Sequence, residues 1–171
     1  FAALASRLQI SGPVRLAVSA RAQVPAVVGW LRPVGLMPAT VFTGLTVEQV
    51  EALLAHELAH VRRHDYLVNL LQTAAETLFF YHPAVWWVNR IIRNERENCC
   101  EDLAVETCGN TLVYARALAQ LEQLRGSAPH LAMAADGGSL LDRIQRLMGK
   151  GSSSRSISSS SLMAIVAVAL I

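Results

Sequence analysis

The stretch 51–65, EALLAHELAHVRRHD, places the strongest constraint on the fold. It holds three of the five histidines, His56, His60 and His64, each four residues from the next, and Glu57 follows the first. On a helix, residues four apart differ by ~40° around the axis, so His56 and His60 leave one face one turn apart. Two imidazoles so placed can grip one zinc ion, and a glutamate beside them can hold and deprotonate a water. This is the H-E-x-x-H pattern, whose chemistry is peptide hydrolysis. Two protein ligands are too few, because catalytic zinc usually takes three and keeps one position open. His64 continues the row, but eight residues along a straight helix is ~12 Å, too far to close a tetrahedron. The glycine and spaced histidine of the longer H-E-x-x-H-x-x-G-x-x-H pattern are absent. The third donor must come from another element.

The densest acidic cluster is 93–102, RNERENCCED, within a helical segment. Glu97 follows His60 by 37 residues (97 − 60), which is room for one helix out and another back. Glu95, Glu101 and Glu106 are rivals on spacing. Glu97 and Glu101 share a face, so one can ligate while the other orients a histidine, as zinc-bound histidines usually require. The plain alternative is a solvated face with pairs such as Glu97 and Arg93.

Around this helix the periodicity predicts a mixed chain. Residues 14–20, 26–32 and 34–42 read as short strands, and Pro25, Pro33 and Pro38 mark a small sheet rich in edges. Thr46, with Gln49 three residues on, forms a capping box for a helix over about 47–63. Leu53, Leu54, Leu58 and Val61 form its apolar side. Further helices are expected over 66–80, from Pro83 to Gly109-Asn110 as one or two pieces, over 111–124 and over 139–148, with a loop at 126–138.

The formal charge of +2 and the lack of a basic stripe with interleaved aromatics exclude a nucleic-acid partner. Three cysteines, two of them adjacent, make a poor disulfide framework and read as small buried side chains in a reducing compartment. No secretory leader is read at the start of the chain. The purely apolar run 162–171, LMAIVAVALI, follows a serine-rich linker. Ten residues do not span a bilayer, which takes about 20, so this run reads as the first part of a transmembrane helix. The expected organisation is therefore a juxtamembrane segment at 1–13, a zinc metallopeptidase domain at 14–148, a linker at 149–161 and the start of a spanning helix at 162–171.

Two segments, LLAHELAHVRRHDYLVNLLQ and FFYHPAVWWVNRIIRNERENCCED, resemble the BlaR/MecR-type antirepressor membrane metallopeptidases over about 45–105. The resemblance implies an α+β, mostly helical gluzincin minidomain with a small sheet, flanked by transmembrane helices. It is distantly similar to HtpX and CAAX-type proteases. In that pattern the glutamate opening E-x-x-C-D is the third zinc ligand, which falls on Glu97, with Cys100 at the cysteine position. The acidic residue four after the ligand is here Glu101, followed by Asp102, so either can orient a histidine. The resemblance further implies a domain facing the cytoplasm of a bacterial inner membrane. Its partners would be a protein substrate, such as a cytoplasmic repressor, and the bilayer, and a homodimer is compatible with it. The aromatics Phe79, Phe80, Tyr81, Trp86 and Trp87 fit either a headgroup-level patch or core packing. Arg62, Arg63, Arg90, Arg93 and Arg96 fit a cytoplasmic membrane face. His64, Tyr66, Tyr81 and His82 are candidates to stabilise an oxyanion, and an extended substrate can pair with an edge strand near 24–31. A housekeeping protease similar to HtpX and a non-enzymatic signalling scaffold are the alternative functions.

Overall fold

The computed structural model describes residues 1–10, 12, 14–22, 25–29, 33–125 and 140–149. Seven helices and three strands lie among them, in the order α1 (Ala2–Arg7), β1 (Arg15–Ser19), β2 (Ala26–Val28), β3 (Val34–Pro38), α2 (Ala39–Gly44), α3 (Val47–Arg62), α4 (Asp65–Leu78), α5 (Pro83–Cys108), α6 (Thr111–Arg125) and α7 (Leu140–Leu147). The mixed, mostly helical architecture read from the sequence is the one observed.

Helix α3 is the axle. Thr46 caps it: its hydroxyl accepts from Gln49 N–H at 3.3 Å while the Gln49 side chain accepts from Thr46 N–H at 2.8 Å. Such a box satisfies two of the donors that every helix start leaves open. Val50, Ala52, Leu53, Leu54, Ala55, Leu58 and Ala59 are all buried, so this helix is enclosed nearly all round rather than along one stripe. Helices α1, α2, α4, α5 and α6 and strand β2 all pack against it. Leu4 and Leu8, at and just beyond α1, join the same core with Met37, Val41, Tyr114 and Leu118. Residues before position 14 therefore supply core side chains.

The sheet has order β1-β3-β2, with β1 parallel and β2 antiparallel to β3. Strand β2 is an edge. It is shorter than the expected 26–32: Gly29, at φ +90°, turns the chain after Val28. The third strand also stops early, because Pro38, which has no N–H for a ladder, serves as the N-cap of α2.

The predicted break at His82-Pro83 is the α4–α5 turn, and Pro83 opens α5 as a first-turn proline. From there α5 runs unbroken for 26 residues to Gly109, whose φ of +72° gives the left-handed cap that a glycine adopts without strain. Phe79, Phe80, Tyr81, Trp86 and Trp87 are exposed, which removes core packing as their role. Arg93 and Arg96 do not present a free cationic face, because both are engaged by side chains of α4. Among the described residues no helix is long and apolar enough to cross a membrane. The loop at 126–138, the apolar run 162–171 and all of the linker but Gly149 lie outside the described residues.

Thr46→Ala removes one arm of the box at the head of the central helix. It should lower unfolding free energy by about 1 kcal/mol, and chemical denaturation of the variant against the parent measures this.

Candidate metal centre

Helix α3 projects His56 and His60 from one face, and α5 crosses that face carrying Glu97. The two Nε2 atoms lie 3.2 Å apart. Glu97 places Oε2 3.6 Å from His56 Nε2 and Oε1 3.8 Å from His60 Nε2. One donor atom from each residue falls within a 4.8 Å set. Tetrahedral zinc with bonds of about 2.0–2.1 Å separates two nitrogen ligands by ~3.3 Å, which matches the imidazole pair.

What surrounds the imidazoles fixes which nitrogen faces inward. His60 Nδ1 lies 2.7 Å from Asp65 Oδ2, and the carboxylate can only accept, so Nδ1 carries the proton and the Nε2 lone pair points at the centre. His56 Nδ1 meets the Tyr114 hydroxyl at 3.0 Å, inside the core. A metal at the centre would be met by Nε2 of His56 with Nδ1–H donating to Tyr114, whereas the other tautomer donates from Nε2 to Glu97. With both Nε2 atoms free of a proton, two nitrogen lone pairs and a carboxylate converge, an arrangement that favours a cation between them. The donor set therefore fits a zinc ion on chemistry as well as distance.

Asp65 is itself held. It is buried at the start of α4, it accepts from Cys100 Sγ at 3.3 Å, and Arg63 Nε lies 3.6 Å from its other oxygen. Burial and the Asp65 carboxylate push the Cys100 thiol up, so it stays protonated and donates. Burial would raise Glu97, but the His56 hydrogen bond and the charges of His60, His56 and Arg143 outweigh it and hold the carboxyl at about 2. Glu97 is therefore an anion across the neutral range. Glu57 goes the other way: burial pushes its carboxyl up, more than His56 and His60 draw it down, and Glu97 adds to the rise. Two carboxylates at one centre are thus driven apart, one to a fixed charge and one to a readier proton acceptor.

Glu57 opens onto a groove of about 770 Å³. Strand β2 forms part of its wall through Val27, followed by Gly29, and Tyr66, Asn69 and Arg96 form another part. Of the four oxyanion candidates, His64 and Tyr66 line this groove, whereas Tyr81 and His82 lie at the opposite end of α4. His64 is outside the donor set for a reason beyond axial distance. The helix has ended, and His64 sits at φ +55°, the left-handed residue that starts α4.

Glu101 and Asp102 do not orient a histidine. Glu101 is fully buried, with Arg143 Nε at 2.5 Å and Arg146 Nη2 at 2.6 Å, and Asp102 accepts from Arg146 Nη1 at 2.7 Å. Both carboxylates tie α7 to α5, and the orienting carboxylate is Asp65. The sequence offered one signal for it, an acid five residues past His60. It offered none for Tyr114, which is 58 residues from His56. Glu95 and Glu106 are exposed.

The chain matches the family model described as BlaR1 peptidase M56 over residues 2–147. It is 23% identical over 124 residues to the regulatory protein BlaR1 of Bacillus licheniformis, which is 71% of this chain and 20% of that protein. It is 25% identical over 88 residues to the methicillin resistance mecR1 proteins of Staphylococcus aureus and Staphylococcus epidermidis, which is 52% of this chain and 15% of each of them. The chain thus spans a fifth or less of the length of these relatives. A match covering nearly all of the described fold, from α1 to α7, makes this chain a member of the BlaR1 peptidase M56 family.

Proposed function

We propose that this chain is the peptidase domain of a membrane signal transducer and that it hydrolyses peptide bonds with zinc held by His56, His60 and Glu97. The observation that carries the reading is the convergence of those three side chains on one point, beside a groove onto which Glu57 opens. Zinc at that point would supply Lewis-acid polarisation of a carbonyl and acidify a water.

The protein's own residues do the rest. Asp65 and Tyr114 keep both Nε2 atoms turned inward. Glu97 contributes a permanent negative charge, so the three protein ligands together neutralise half of a divalent ion. Glu57 takes a proton from the attacking water and returns it to the departing amine. Its raised proton affinity suits that two-way transfer. The edge strand β2 lines part of the groove through Val27, and an extended substrate would add to it through backbone hydrogen bonds. His64 and Tyr66, both at the groove, are the groups placed to meet the oxyanion. The substrate fitting this role is a cytoplasmic repressor protein, with cleavage of the transducer itself as a second reaction. Family membership and the apolar run 162–171 support a bacterial inner-membrane setting, the domain facing the cytoplasm.

Purified without chelator, the chain should carry about one zinc. His56→Ala or His60→Ala should abolish binding, and Glu97→Ala should weaken it strongly. Asp65→Ala should cost about 10–100-fold in affinity, as loss of a histidine's hydrogen-bond partner does. Glu95→Ala should cost nothing, and Glu101→Ala should lower the melting temperature more than the zinc affinity, because it strands two arginines. Competition titration with a chromophoric chelator ranks the series, and an order with Glu95 ahead of Glu97 would refute the site.

Glu57→Gln keeps the shape and removes the base. Zinc should stay bound while hydrolysis of an unstructured protein substrate falls by about 10²–10⁴-fold. Near-parental turnover in this variant would remove Glu57 from the mechanism.

A further inference from the structure

Helix α4 is built inside out. Its polar residues recur at Asp65, Asn69, Gln72 and Glu76, the spacing of a single helical face, and that face meets α5. Gln72 Nε2 donates to the Asn89 carbonyl at 2.9 Å, and Asn89 Nδ2 donates to Glu76 Oε1 at 3.1 Å. Arg93 donates to Glu76 at 2.8 Å, and Arg96 donates to Asn69. Only Asp65 and Gln72 of the fourteen residues are buried. The leucines point the other way: Leu67, Leu70, Leu71 and Leu78 are 44–70% exposed. A helix in water buries its apolar stripe and solvates its polar one, and α4 reverses both. That reversal is stable where the surroundings are hydrocarbon, so that polar groups turn inward to find partners and leucines cost nothing outside.

Three further features specify which hydrocarbon. The turn after α4 exposes Phe80 and Tyr81, and the first turns of α5 expose Trp86 and Trp87, the residue types that settle at the headgroup level. Between 66 and 94 the sole acid is Glu76, which Arg93 neutralises, while Arg90, one turn past Trp86 and Trp87, is exposed. The balance is cationic, which suits an anionic leaflet. Helix α4 is also too short to span, at ~21 Å, so it can lie along the interface but not cross it.

We propose that the outer face of α4 and the aromatic turn after it seat on the headgroup–acyl boundary of an anionic phospholipid bilayer, so that the peptidase domain touches the membrane directly. This rests on the membrane setting above and adds the face that makes the contact. It does not depend on zinc or hydrolysis. Because Asp65 starts the same helix and Tyr66 lines the groove, the seat holds the cleft close to the lipid surface and favours substrate segments found there.

The test uses the full chain with Trp30→Phe, leaving Trp86 and Trp87 as reporters. The vesicles are phosphatidylcholine and phosphatidylglycerol, with or without acyl-chain bromine. Emission from Trp86 and Trp87 should shift to the blue and be quenched by brominated lipid. Leu70→Gln with Leu71→Gln, both at exposed positions, should leave the circular dichroism unchanged and weaken that quenching signal about tenfold or more in lipid titration. Vesicle binding without quenching means that the apolar run 162–171 alone holds the chain and that the α4 face meets another protein, which overturns the proposal. Quenching unchanged by the leucine substitutions overturns it equally, as does failure to bind vesicles at all.

Discussion

Everything at this centre depends on how closely α5 approaches α3. A glutamate reaches only a few ångströms from its backbone, so Glu97 can meet two imidazoles on another helix only if the helices nearly touch. The sequence supplies small buried residues on both helices: Ala52, Ala55 and Ala59 on α3 and Cys100 and Ala104 on α5. Larger side chains there would lift α5 and leave the carboxylate short. The alanines that make α3 a good helix former are therefore also what makes it a good neighbour.

The closeness has an electrostatic cost, and the structure offsets it in layers. Acceptors crowd the centre, yet each is anchored from behind: His60 by Asp65, His56 by Tyr114, Asp65 by Cys100 and Arg63. These anchors hold the imidazoles apart from their preferred solvation and keep them aimed. Glu101 adds a separate anchor one turn beyond Glu97. Its two partly buried arginines bind α7 to the helix that carries Glu97, so the last described helix is tied to the centre through ion pairs on a fully buried carboxylate. Removing the arginines would leave the Glu101 carboxylate stranded in the core.

The sequence made local features legible and long-range ones poorly so. The capping box at Thr46 and Gln49, the stop at Gly109 and the helix face shared by His56 and His60 all follow from rules that act within a few residues, and all are present. The convergence of Glu97 on that face came from the spacing together with the resemblance, since four glutamates were open on spacing alone. The helical period puts Glu101 on the Glu97 face, which makes it look like the orienting carboxylate, but α7 folds back to claim it, and no local rule encodes that return. Tyr114 was invisible for the same reason. The strand expected over 34–42 stops at Pro38, because a proline suits a strand edge or turn and equally the N-cap from which α2 starts.

Helix α4 shows how one constraint propagates to another. Asp65 must face α5 and His60, because the imidazole needs its acceptor there. Once position 65 faces α5, helical geometry turns 69, 72 and 76 to the same side, and those positions are Asn, Gln and Glu, with Gln72 buried and Asn69 at the exposed margin. The same rotation turns 67, 70, 71 and 78 outward, and all four are Leu. Rotating α4 to bury its leucines would withdraw Asp65 from His60 and break the Glu76–Arg93 pair. The apolar outer face and the oriented His60 imidazole are thus one choice of helix rotation, and an environment that accepts the leucines stabilises the position of the Asp65 carboxylate. Contact with lipid would then favour the assembled centre over the rotated one, which links the membrane seat to the chemistry through a single rigid element.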